Sequence, residues 1–286
     1  MELSNLIVYG GLNGSSATQR PRLPARQESA LDLTSRPPNG FLSALTAEDF
    51  ELIRPYLRTV DLLPESTLVG VGGTLWRAYM PHRGVISLVV NLAKGEHVQV
   101  AMIGRDSILG VFSTLGDPVA LTNALVLVPG TTSTIELDRL RAAADQSATL
   151  RALMMRHGLA MYAQVQQTAG CNASHSVEAR LARCLLQIHD LSGSCKLVLT
   201  QESIAQMIGA RRNSVSLVAS TLQQAEVIHY SRGHIQILDL DALKKAACEC
   251  YRTVKTQYER LLGPHRHDTA QTKAPSMRDK SQSGTV

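Results

Sequence analysis

"LTQESIAQMIGARRNSVSLVASTLQQAEVI", residues 199–228, decides the fold. Thr200 can cap a helix, because its hydroxyl accepts from a free N–H of the first turn. Ile204 and Ile208 then fall one turn apart, on the inner face of a helix spanning 201–208. Gly209 follows, the residue type that ends a helix in left-handed geometry. A second helix opens at Arg211, and its apolar residues Val215, Val218, Leu222 and Ala225 recur at helical spacing. Two short helices joined by so tight a glycine turn form a helix-turn-helix. The residues after it, "IHYSRGHIQIL" (228–238), are two β-rich runs around Arg232-Gly233, a small hairpin or wing.

The second helix begins with two cations, although a helix N-terminus already carries partial positive charge. Arg211 and Arg212 therefore call for an anion from outside the chain. In a helix-turn-helix the second helix enters the major groove by this end, so Arg211, Arg212 and Asn213 would meet DNA before solvent. Phosphates supply the anion, and the free N–H groups of the helix start can join them. An arginine fork also matches guanine O6 and N7, worth about 1–3 kcal/mol against a wrong base. The competing reading is a solvated basic helix start with no DNA role.

Bulk charge does not identify a DNA binder here. The 286 residues carry net charge +5, and the excess lies late in the chain. Residues 1–173 hold fourteen basic and fourteen acidic side chains; residues 174–286 hold fifteen and ten. Apolar residues make up 44%, enough for packed cores. Aromatics are only 4%, which speaks against stacking platforms for single strands. The five cysteines, Cys171, Cys184, Cys195, Cys248 and Cys250, form no C-x-x-C pair and no zinc-finger spacing, so they read as ordinary reduced thiols with no metal site. No signal peptide and no membrane span are apparent, and a cytoplasmic protein is expected. No nucleophile–base pair or phosphate loop points to an enzyme.

Upstream, residues 1–38 read as a flexible arm, and residues 263–286 as a flexible tail in which His265 and His267 are solvated. Thr46 can cap a short helix, with Asp49 at its third position. The period then changes to two. Residues 85–103 form a hairpin turning at Lys94-Gly95, with His97 and Gln99 on a wet face and Val98, Val100 and Met102 on a buried one. "DSILGVFSTLG", "LTNALVLVPG" and "TTSTIEL" continue as short strands, so residues 58–136 read as a β-sandwich or barrel. From Asp138 helices return: a short one, then a long one from Ala148. In it Leu150, Met154, His157, Met161, Gln164, Thr168 and Cys171 follow alternating spacings of four and three, a seam that could pair with a copy of itself. Packing on its own β domain is the alternative. Gly158 allows close approach. "CNASHS" is a hinge, and Ser176 caps the next amphipathic helix.

This arrangement resembles the Crp/Fnr family of bacterial transcription regulators over residues 40–262. The resemblance is strongest in "VEARLARCLLQIHD", the quoted helix-turn-helix and "YSRGHIQILD". It implies an α+β fold: a jelly-roll-like β-roll, a long dimerisation helix and a C-terminal winged helix-turn-helix. The implied domains are 39–137 for the cyclic-nucleotide-binding-like sensor, 138–173 for the short and dimerisation helices, and 174–262 for the DNA-binding head. It implies a homodimer on a near-palindromic duplex, with RNA polymerase as a further partner.

The family often reads DNA with an arginine, a following glutamate and a second arginine one turn on. Arg212 matches the first, Asn213 replaces the glutamate, and Leu217 stands in the place of the second arginine. The resemblance thus assigns base reading to Arg212, Asn213 and Ser216. It assigns phosphate contact to Thr200, Gln201, Arg211, Ser214, Arg232, Gly233 and His234. Cyclic-AMP-binding members hold the ribose with a Gly-Glu pair and the phosphate with an Arg-Ser or Arg-Thr pair. The matching "SILGVFSTLGDPVALTNA" has neither glutamate nor arginine, and Arg105 lies before it. Burying the phosphate without a cation is costly, so cyclic AMP is not expected and the effector stays unidentified. N-terminal cysteines for an iron–sulfur sensor are absent; His82 and His97 leave a haem open but read as strand and turn residues. The rival function is a ligand-binding adaptor of the same fold that lost DNA reading.

Overall fold

The computed structural model describes residues 36–93 and 96–263. The expected arm at 1–35, the Lys94-Gly95 turn and the tail with His265 and His267 lie outside the described residues. The elements run α1 (Gly40–Ser43), α2 (Ala47–Ile53), β1 (Arg58–Leu62), β2 (Thr67–Val69), β3 (Arg77–Pro81), β4 (Val85–Asn91), β5 (His97–Ile103), α3 (Val111–Leu115), β6 (Asn123–Val128) and β7 (Gly130–Glu136). Then follow α4 (Leu137–Gln146), α5 (Ala148–Ser174), α6 (Val177–Ser192), β8 (Lys196–Val198), α7 (Gln201–Ile208), α8 (Arg212–Gln224), β9 (Ile228–Ser231), β10 (His234–Ile237), α9 (Leu240–Ala246) and α10 (Cys250–Leu262).

The β domain is two antiparallel sheets, β1-β7-β3 and β2-β6-β4-β5, facing each other over a core that includes Leu62, Met80, Ile86, Ile103 and Ile135. The hairpin expected at 85–103 is present, with Ile86 opposite Ile103 and Asn91 opposite His97. Its supposedly wet face is not wet: Gln99 is buried and accepts a 3.0 Å hydrogen bond from Ser87. The reason is tertiary, since α7 of the C-terminal domain packs over β5. "VFSTL" is helix α3 rather than strand. Gly110 at φ 106 turns the chain, and the Thr114 hydroxyl donates to the Gly110 carbonyl at 2.7 Å.

Caps fall where the sequence puts them. Thr46 accepts from the Asp49 N–H at 3.1 Å, and Ser176 from the Ala179 N–H at 3.2 Å. The Asp49 carboxylate then accepts from Ser147 and Thr149, joining α2 to the start of α5. The hinge is shorter than "CNASHS" suggests. α5 runs through Ser174, and only His175 and Ser176 separate it from α6.

The seam expected to pair two copies is instead filled within the chain. Leu150, Met154, His157, Met161, Gln164 and Thr168 are all buried. The apolar members Leu150, Met154 and Met161 join the β-domain core. The His157 ring meets Phe41 edge-on at 5.2 Å and contacts the Ser107 hydroxyl at 3.2 Å. Gln164 accepts from the Met102 N–H and donates to the Tyr258 hydroxyl at 2.9 Å. A side chain already buried in its own chain has no surface left for a second copy. The outer face of α5 carries another stripe at the same spacing: Ala152, Met155, Leu159, Tyr162, Gln166 and Ala169, all exposed.

The C-terminal domain has its own core, built from α6, α7, α8, α9 and the three-stranded sheet β8-β10-β9. β8 had no counterpart in the sequence reading. That core also takes in Val85 and Met102 of the β domain. α10 leaves the domain and packs on α5, with Val254 and Tyr258 against Ala160.

Candidate nucleic-acid interface

Helices α7 and α8 form the helix-turn-helix. Thr200 accepts from the Ser203 N–H at 3.0 Å and so starts α7. Gly209 closes it at φ 59, ψ 45, a region that costs a residue with Cβ more than glycine. The Ala210 N–H then donates to the Ala205 carbonyl at 2.9 Å, a closing pattern typical of a glycine-capped helix end. The inner face of α8 carries Val215, Ala219 and Leu222. Ala225, expected on that stripe, is the exposed C-cap, and Ala219 holds the buried place instead.

Arg211 is the N-cap of α8, and its side chain makes no capping bond. The first-turn N–H groups of α8 are therefore left without a side-chain acceptor. Arg211, Arg212 and Asn213 are exposed. Among the described residues no carboxylate pairs with either guanidinium. Leu217, one turn on, is 72% exposed.

Not every residue assigned to DNA is free. The Ser216 hydroxyl donates to Gln201 Oε1 at 2.6 Å and to the Arg212 carbonyl at 3.0 Å. The first of these bonds pins the start of α7 to α8, so Ser216 and Gln201 hold the angle between the two helices. Ser214 is half-buried beside them. Tyr230 of the wing donates its N–H to Gln223 Oε1 at 2.7 Å and so fixes β9 to α8.

The wing is a two-residue hairpin with Ser231 opposite His234. Arg232 sits at φ 49 and Gly233 at φ 80, the double left-handed geometry of a type I′ turn. Arginine in that region is strained by about 1 kcal/mol or more. The turn places an exposed cation at the wing tip, with His234 also exposed beside it.

In the β domain, α3 has no cation of its own. Arg141 of α4 reaches it, but its donors go to three backbone carbonyls: Thr114 at 2.7 Å, Ser113 at 3.1 Å and Gly116 at 3.0 Å. The histidines considered for haem are engaged locally. His82 Nε2 contacts the Ser133 hydroxyl at 2.8 Å, and His97 Nδ1 contacts Asn91 Oδ1 at 2.7 Å.

One group of residues escaped the sequence reading. Cys171, His175, Cys248 and Cys250 place their donor atoms within 4.8 Å of one another. Spacing along the chain could not show it, because the two halves lie more than seventy residues apart and meet only when α10 folds back on α5.

Residues 179–246 match the Crp-like helix-turn-helix domain family. Among solved structures the chain is similar to FixK2 from Bradyrhizobium japonicum, at 14% identity, covering 67% of this chain and 98% of that one with a TM-score of 0.57. A putative Crp/Fnr-family transcriptional regulator from Eubacterium rectale gives 17% identity, 71% and 95% coverage and a TM-score of 0.57. The c-di-GMP-responsive global regulator CLP of Xanthomonas campestris gives 12%, 68%, 100% and 0.56. No match was found among curated proteins. Sequence and fold thus agree: residues 179–246 form a Crp-like helix-turn-helix domain, carried on a fold that the chain shares with the solved Crp/Fnr-type structures.

Proposed function

We propose that the protein is a homodimeric, non-enzymatic transcription regulator of the cytoplasm that reads a near-palindromic duplex. The observation that carries this reading is the uncapped start of α8 with Arg211 and Arg212 exposed and unpaired by any described carboxylate. Arg211, Arg232 and His234 are suited to phosphates, with Thr200, Ser214 and the Gly233 backbone beside them. Arg212 and Asn213 are suited to base edges, guanine for the fork and adenine for the amide. Leu217 offers an apolar contact to a thymine methyl, in place of a second arginine. Gln201 and Ser216 serve by setting the helix–helix angle.

The dimer surface is the outer stripe of α5. Met155, Leu159 and Tyr162 are 50%, 51% and 57% exposed. Phe112 of α3 lies against Gly158 and is itself half exposed, which widens the patch. Pairing two such stripes would cover it and set the recognition helices about 34 Å apart, one turn of the duplex.

The effector is a small molecule other than cyclic AMP. Supporting this, α3 carries no cation and the nearby Arg141 is already committed to carbonyls. A cavity of about 440 Å³ between β5 and α7, lined by Ser87, His97, Gln99, Thr200, Ser203 and Gln206, lies where a ligand would bear on the docking of the reading head. RNA polymerase is the expected further partner at the promoter.

Selection of bound sites from random DNA tests the reading. It should return an inverted repeat. Arg212→Ala should relax one base position in each half-site, at a cost of about 1–3 kcal/mol. Arg211→Ala should weaken all sequences alike and reduce the salt slope by about one. Binding that follows salt alone, with no preferred sequence, would instead favour the adaptor reading.

A further inference from the structure

Three thiols and an imidazole converge where the reading head joins α5. Cys171 lies in the last turn of α5, and His175 is that helix's C-cap. Cys248 lies in the link after α9, and Cys250 opens α10. Cys171 Sγ is 3.5 Å from Cys248 Sγ, and Cys250 Sγ is 3.6 Å from His175 Nδ1. Around one tetrahedral Zn²⁺, with Zn–S about 2.3 Å and Zn–N about 2.0 Å, neighbouring sulfurs stand about 3.8 Å apart and sulfur and nitrogen about 3.5 Å. The observed spacings match those values within a few tenths of an ångström. A cluster with several irons would spread its ligands more widely than these 4.8 Å.

The surroundings are those of a ligand set. His175 Nε2 lies 3.1 Å from Glu249 Oε1. A carboxylate holding one imidazole nitrogen orients the ring and leaves the other free to coordinate. Gln167 donates to Cys250 Sγ at 3.0 Å, a bond that favours thiolate over thiol. Arg183 is 3% exposed and has no carboxylate partner among the described residues. A buried cation without a counter-charge is costly. Three thiolates on a divalent ion leave one net negative charge, and Arg183 lies close enough to Cys171 for their charges to interact.

We propose that Cys171, His175, Cys248 and Cys250 form a Cys3His site for a single Zn²⁺ ion. The ion clamps the exit of α5 to the start of α10, the two points where the chain enters and leaves the DNA-reading head. Its role is structural, since all four positions are filled by protein and none is left for substrate.

The test uses the full chain, purified without chelator, with metal content read by mass spectrometry. One zinc per chain is expected. Exchange with Co²⁺ should give the strong visible bands of a tetrahedral thiolate complex. Cys248→Ser and His175→Ala should each lower zinc retention against a competing chelator at least tenfold. Cys195→Ser, at an exposed cysteine outside the cluster, should retain it. Should a cluster variant fail to fold, alkylation of the wild-type protein decides: Cys171, Cys248 and Cys250 should become reactive only after chelation. Zinc below a tenth of an equivalent after titration, an octahedral cobalt spectrum, or protection of these thiols that ignores chelator would overturn the proposal.

Discussion

Helix α5 carries two stripes of the same spacing and opposite fate. The inner one, from Leu150 to Thr168, is buried against the β domain and α10. The outer one, from Ala152 to Ala169, faces solvent with methionine, leucine and tyrosine at its centre. Period alone cannot rank them, because every helix has several faces with spacings of four and three. What ranks them is the company each keeps. The inner stripe includes the polar residues His157, Gln164 and Thr168. In the fold, His157 and Gln164 have their own partners: Ser107 for one, the Met102 backbone and Tyr258 for the other.

Mutating each stripe should give opposite signatures. Leu159→Arg on the outer stripe should split the dimer and reduce affinity for a palindromic duplex by about 10²-fold or more, since the second half-site is then no longer tethered. Stability of the chain should change by less than about 0.5 kcal/mol. Sedimentation and duplex titration read both effects. Met154→Ala on the inner stripe should do the reverse, costing about 2–5 kcal/mol in urea unfolding while the folded variant still dimerises below its unfolding midpoint. Equal loss of dimer in both variants would erase the distinction.

A smaller effect separates the stripes by pH. Burial, with the nearby Arg156 charge, pushes His157 down to about 3. The unfolded chain takes up this proton below about 6.5 and the folded chain does not. The stability that neutral His157 provides is therefore full above about pH 6.5 and declines as pH falls toward 3, by on the order of 1.4 kcal/mol per pH unit. Asp106, pushed up to about 6 by burial, acts in the other direction and loses stability as pH rises through that value. The difference between wild type and His157→Leu isolates the histidine. Denaturation between pH 7 and 4 should show a shallower slope for the variant, and an unchanged slope would place the imidazole in solvent.

The same contrast explains what the sequence could tell. Short-range chemistry was legible: the Thr46, Ser176 and Thr200 caps, the Gly209 turn, the Arg232-Gly233 wing and the β4–β5 hairpin each depend on residues a few positions apart. Contacts across the fold were not. Gln99 alternates as a wet residue should, yet α7 covers it. "VFSTL" is too short to show a helical period, and Gly110 and a capping Arg141 from another helix decide its shape. Ser216 and Gln201 looked like separate DNA contacts until the turn brought them within 2.6 Å. The Cys/His cluster is the extreme case, since its four members satisfy no local spacing rule.

The return of α10 to α5 has a mechanical consequence. A body fastened at one point can swing through a cone, whereas one fastened at two can only turn about the line between them. The segment from α6 to α9 is fastened at residues 175–176 and again at 247–249, side by side. Its freedom is that of a door on a short pair of hinges, and the packing of α7 on β5 is what holds that door against the β domain.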